Sequence, residues 1–137
     1  MRSLTLLLVP LAACSTSPRE AERAATADLR TQKALAVELA GLVPGEPLAC
    51  LPEPARVQLP SKGYGSTIVY RASSAVKYRN DMNGNCPAAG RDDILITQTT
   101  QSRSCRGDIV QTIDRTSRFP TGGCAFGDFI PYRRPAR

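Results

Sequence analysis

The sequence predicts a mainly β protein: one N-terminal helix followed by a small antiparallel β-sandwich or barrel of about six strands, with two disulfides. Three observations carry this. Beyond residue 50, short β-branched and aromatic runs recur every ten to fifteen residues between turn-rich stretches, a pattern of antiparallel strands rather than βαβ units. Before residue 44, only Gly41 interrupts a helical pattern that starts at Arg19. Four cysteines, Cys50, Cys86, Cys105 and Cys124, fall in the β-type segment 50–132, whose 83 residues make a small core that gains from a covalent staple.

The first 13 residues have the layout of a secretory signal. Arg2 is followed by Leu4–Ala13, an apolar run broken only by Thr5 and Pro10. Its ten residues are about half of the roughly 20 that span a bilayer as a helix. Leu11-Ala12-Ala13-Cys14 resembles the lipobox of bacterial lipoproteins. That resemblance implies a signal peptide over 1–13, a mature chain beginning at Cys14, and lipid, palmitate included, on that cysteine. Ser15 stands where lipoproteins kept at the inner membrane typically carry aspartate, so the periplasmic face of the outer membrane is the expected location.

Residues 14–18 read as a polar tether. Ser17-Pro18-Arg19-Glu20 is a helix start, with serine at the cap, proline at the first helical position and glutamate three residues on. The helix is expected over 19–43. Leu35, Leu39 and Leu42 share a face that Ala21, Ala25 and Leu29 roughly continue, so only the leucine-rich second half is able to dock. Val43 precedes Pro44 and is biased out of the α region, which ends the helix. Residues 44–54, with Pro44, Pro47, Pro52 and Pro54, read as a linker without regular structure, tied down by Cys50.

The expected strands follow in order. Arg56–Leu59 alternates weakly, whereas Thr67–Tyr70 and Ala75–Asn80 are clear strands separated by the hairpin-sized Arg71–Ser74. Asp81–Gly90 reads as a turn-rich loop. Ile94–Thr97 is the most apolar run and is therefore expected at the centre of its sheet. Asp108–Asp114 alternates, and Thr121-Gly122-Gly123 turns the chain into a last strand, Cys124–Ile130, with Phe126 and Phe129 as core aromatics. Residues 133–137 read as a frayed basic tail.

With Cys14 lipidated, the remaining cysteines make an even set in an oxidising compartment, for which two disulfides with three possible connectivities is the default. The expected pairs are Cys50–Cys124, which would close the domain end to end, and Cys86–Cys105, a local link across Ile94–Thr97. Zinc is excluded by spacing, since no two of the four are two to four residues apart.

The net charge of +6 is uneven. Six acidic against four basic residues between Arg19 and Glu53 give −2, while thirteen basic against six acidic from Ala55 onward give +7, with eleven of the thirteen arginine. Arginine suits phosphate and carboxylate partners. Arg71, Lys77, Arg79, Arg103 and Arg106 are the candidate anion-binding residues, against the plainer reading of a solvated surface. Export directs the expectation away from nucleic acid and toward anionic lipid, an anionic envelope polymer or an acidic envelope protein.

Candidates for chemistry are few. Histidine, the commonest general base, is absent. Asp92-Asp93 is the only adjacent carboxylate pair, and neighbours on a strand point to opposite faces. Asp81-x-Asn83-x-Asn85 superficially resembles a calcium loop, but Cys86 stands where the loop needs glycine. Arg106-Gly107-Asp108 spells an adhesion tripeptide and reads more simply as a turn. Ser73, Ser74, Ser102 and Ser104 lie in no nucleophile elbow. Tyr64, Tyr70, Tyr78 and Tyr132 are expected to pack at the core or an edge. No cofactor or metal is expected.

Cys50-Leu51, Tyr78-Arg79-Asn80, Cys86-Pro87, Cys105-x-x-Asp108-Ile109 and Cys124-Ala125-Phe126-Gly127-Asp128-Phe129-Ile130-Pro131 together resemble a family of small exported proteobacterial proteins. That family shares the four-cysteine framework and a Cys-x-x-Gly-x-Phe-x-Pro ending. The resemblance covers about residues 50–132 and implies export and the cysteine framework, without any catalytic residue. The expected function is a non-enzymatic envelope lipoprotein, structural or binding. An inhibitor or adaptor presenting the loop Asp81–Arg91 is the alternative, and an enzyme the third reading.

Overall fold

The computed structural model describes residues 17–52, 59–86 and 91–136. Cys14, the signal segment and most of the tether lie outside the described residues, as do 56–58 of the expected strand Arg56–Leu59.

The helix α1 (Pro18–Glu38) begins where its cap predicts. The Glu20 amide donates to Ser17 Oγ at 3.3 Å and the Ser17 amide donates to Glu20 Oε2 at 2.9 Å, the two halves of a capping box. The helix ends earlier than residue 43, because Gly41 turns the chain at φ +74 and Val43–Pro44 is drawn into a sheet as β1.

Eight further strands follow: β2 (Ser61–Tyr64), β3 (Thr67–Arg71), β4 (Val76–Asp81), β5 (Asn83–Asn85), β6 (Ile94–Gln98), β7 (Ile109–Ile113), β8 (Pro120–Ala125) and β9 (Phe129–Arg133). They form two antiparallel sheets, ordered β1-β9-β4-β3-β2 and β5-β8-β7-β6, and do not close into a barrel. The fold class is as the sequence predicts, but the described residues hold nine strands where about six are expected.

The chain crosses between sheets at two adjacent corners. One is Met82, the single residue between β4 and β5; the other is Phe126-Gly127-Asp128, between β8 and β9. Asn80, fully buried, clamps them. Its Nδ2 donates to the Gly127 carbonyl at 2.8 Å and its Oδ1 accepts the Gly127 amide at 3.1 Å. A Cβ on Gly127 would run into the Asp81 carbonyl oxygen, so this corner requires glycine. The expected last strand Cys124–Ile130 is thereby split in two.

The core between the sheets takes Ile68, Tyr78 and Phe129 from the first and Val110 and Cys124 from the second, sealed by Leu51, Met82, Cys86 and Phe126. Phe126 and Phe129 are buried with ring centroids 5.3 Å apart, as predicted. A second, smaller cluster of Leu35, Leu39, Tyr64 and Val69 lies between α1 and the other face of the first sheet.

Both disulfide pairs differ from the sequence expectation: the bonds are Cys50–Cys105 and Cys86–Cys124. Asn83–Asn85 is a strand rather than loop, and it pairs with β8 so that Gly84 faces Cys124, which puts Cys86 beside Cys124. The proline-rich linker is also structured over 44–52, and 53–54 lie outside the described residues. Pro44 pairs with Tyr132, Leu48 bridges to Phe129, and Cys50 bridges to Cys105, with the Leu51 amide donating to the Ser104 carbonyl. Pro131 is tolerated inside β9 because its missing N–H faces this linker where the pairing lapses, between Gly45 and Leu48.

Three smaller expectations are corrected as well. Ile94–Thr97 is not central: among the described residues β6 is an edge strand, paired with β7 alone. Thr121-Gly122-Gly123 lies within β8, and the turn is Asp114–Phe119, where Asp114 Oδ1 accepts the Thr116 and Ser117 amides. The basic tail begins one residue later than expected, since Arg133 ends β9.

Candidate binding surface

The face of the first sheet that meets α1 is unusually polar for a docking face. Strand alternation puts Lys62 and Tyr64 of β2, Thr67, Val69 and Arg71 of β3, Lys77, Arg79 and Asp81 of β4, and Tyr132 of β9 on this side. The opposite side carries Ile68, Tyr78 and Phe129 into the core.

Glu38, in the last turn of the helix, is the centre of this face. Its carboxylate accepts from Tyr64 Oη at 2.9 Å, from Arg71 Nε at 2.8 Å and Nη2 at 2.6 Å, and from Lys77 Nζ at 2.8 Å. Lys77 also donates to the Glu38 carbonyl oxygen, which caps the helix end with a cation. The Arg71 fork, with help from Lys77 and Tyr64 and against the cost of burial, pulls the Glu38 carboxyl down to about 2. Burial and the neighbouring carboxylate push the Tyr64 hydroxyl up. Lys62 stacks over the Tyr64 ring at 5.3 Å and extends the cluster to the sheet edge.

This cluster decides what the candidate cations do. Arg71 and Lys77 are consumed by Glu38. Arg79 donates to Asp81 Oδ1 at 3.0 Å, alongside the Thr67 hydroxyl at 2.6 Å. Arg106 pairs with Asp128 at 2.8 Å, fixing the turn after Cys105. Arg103 alone of the five makes no ion pair among the described residues. It lies on the exposed loop 99–104, beside an open groove of about 470 Å³ lined with Pro52, Gln101 and Ser102. The Cys50–Cys105 bond holds that loop against the linker. The five cations are thus dispersed over three regions, and four of them have structural carboxylate partners.

Several other singled-out residues have structural places. Asp93 accepts from the Thr121 hydroxyl at 2.6 Å, while Asp92 sits at φ +62 beside Arg115. Asp81 is engaged by Thr67 and Arg79. In Arg106-Gly107-Asp108 the Asp108 carboxylate accepts the Cys105 amide, and Gly107 takes φ +88. Ser73 Oγ accepts the Val76 amide in the β3–β4 hairpin. Tyr78 and Tyr70 pack in the main core, and Tyr64 and Tyr132 beneath the helix. Residues 87–90 of the candidate adaptor loop lie outside the described residues. Among the described residues, no group of three metal-ligating side chains forms and no helix is long and apolar enough to cross a membrane.

Sequence reasoning missed Glu38. Its signal is its position between Leu35 and Leu39, which turns a carboxylate toward the docked face.

The chain matches no protein-family model, no curated protein and no solved structure.

Proposed function

We propose that the chain is a non-enzymatic lipoprotein of the bacterial envelope: a disulfide-stapled binding or structural module attached to the outer membrane through Cys14. The observation that carries this reading is Leu11-Ala12-Ala13-Cys14 behind Arg2 and the apolar run. The shape of α1 supports it. Only Leu35 and Leu39 of the helical end are buried, while residues 18–30 are exposed on every side. Those 13 residues extend about 20 Å at 1.5 Å each, a rigid spacer between the residue that takes the lipid and the folded domain. The mostly paired cations favour recognition of an anionic envelope polymer or acidic protein at Arg103 over a broad basic patch.

Fractionation of envelopes tests the attachment. Wild type is expected in the detergent phase and labelled by palmitate, and Cys14→Ala in the soluble fraction without label; a soluble, unlabelled wild type would contradict the reading. Crosslinking in envelopes followed by mass spectrometry identifies the partner, and Arg103→Glu should reduce the yield. Binding to anionic vesicles should be weak and fall as salt rises, since exposed charges are screened over about 8 Å at physiological ionic strength.

A further inference from the structure

Among the described residues, the four sheet edges differ sharply in how they are protected against pairing with another strand. β1 is two residues long and contains Pro44. β2 carries Lys62. β5 is three residues with Gly84 at φ +102. All three use devices that discourage edge-to-edge association. The fourth edge, β6, is Ile94-Leu95-Ile96-Thr97-Gln98: five residues with no charge, proline or glycine. Its register with β7 is unbroken, and the bulge in this sheet lies on the far side of β7, between Thr112 and Ile113.

The surface beside this edge is uncharged too. Leu95 faces the core, so Ile94, Ile96 and Gln98 point outward, next to Ile113, Gln111 and Ile109 of β7. Ile96 and Ile109 are 42% and 48% exposed.

We propose that β6 joins two copies of this chain, antiparallel about a two-fold axis at Ile96, making one continuous eight-stranded sheet. A second copy fits because the edge is complementary to itself. With Ile96 opposite Ile96, Ile94 faces Gln98 on the outer side and Leu95 faces Thr97 on the core side. The flanking Asp93 and Asp92 then face Thr99 and Thr100, so no like charges meet. The pairing satisfies the open backbone groups of both edges and extends the apolar outer face across the junction.

The test uses the full chain in detergent micelles. On the axis, the Cα atoms of the two Ile96 residues would lie about 4.5–5.5 Å apart, within disulfide reach. The two Ile109 residues would be three strand spacings apart across the sheet and four residues apart along the strands, about 20 Å in all, and out of reach. Mild oxidation of Ile96→Cys is therefore expected to give a covalent dimer, and Ile109→Cys, equally exposed on the next strand, is not. Ile96→Lys places like charges face to face and should raise the dimer dissociation constant by about tenfold or more, with the sheet circular dichroism unchanged. Crosslinking of Ile96→Cys no faster than Ile109→Cys would overturn the proposal. So would a wild-type chain that sediments as a monomer at high micromolar concentration, or a dimer that Ile96→Lys leaves intact.

Discussion

Replacing Glu38 with glutamine should loosen the helix from the domain, in a way that depends on pH. The carboxyl sits at about 2 against an ordinary 4.5, a difference of about 2.5 pH units, or about 3 kcal/mol of preference for the folded, ionised form. Glu38 is only 12% exposed, but its main partner Arg71 is 39% exposed and partly screened by water, which trims the expectation to about 2 kcal/mol. The folded-state value is depressed, so the contribution is complete above about pH 4.5 and is lost as pH falls toward 2. Amide exchange at Leu35–Leu39 and urea unfolding, each at pH 7 and near pH 2, measure this. Glu38→Gln should be weaker than wild type by about 2 kcal/mol at pH 7, and the two should converge in acid. A variant as stable as wild type at pH 7, or a deficit that does not change with pH, would refute the clamp.

Non-reducing peptide mapping should recover Cys50 joined to Cys105 and Cys86 to Cys124, and reduction should unfold the domain. With partners 55 and 38 positions apart in sequence, each bond is worth about 4 kcal/mol by loop entropy. Asn80→Ala removes the clamp on the Gly127 corner and should cost about 2–3 kcal/mol in urea titration, because it leaves buried backbone groups of that corner without partners. Gly127→Ala should destabilise by about 2–4 kcal/mol in the same assay, since the added methyl meets the Asp81 carbonyl, and Gly123→Ala, with open space at its Cβ, should cost less.

What could be read from the sequence was local. Ser17, Pro18 and Glu20 announce the helix start because a capping box spans only four residues. Ile68, Val69 and Tyr70 against Val76 and Tyr78 announce the β3–β4 hairpin through β-branched and aromatic alternation. The strands that escaped notice lack those side chains: Ser61-Lys62-Gly63-Tyr64, Asn83-Gly84-Asn85 and the Gly122-Gly123 portion of β8 are made strands by their neighbours' ladders rather than by propensity. Ile94–Thr97 misleads because an apolar run marks burial only if something covers it, and among the described residues no strand pairs with the outer side of β6. The disulfide pairing depended on β5 lying beside β8, a long-range contact invisible to loop-length reasoning. Glu38 was one of six carboxylates in its half of the chain, and only the docked geometry singles it out.

The mass of the mature N-terminal peptide from envelope-extracted protein decides whether Cys14 anchors the chain. The reading predicts a peptide that begins at Cys14 and carries a diacylglyceryl group and a further acyl chain. An N-terminus at any other residue, or a Cys14 with an unmodified thiol, would contradict it.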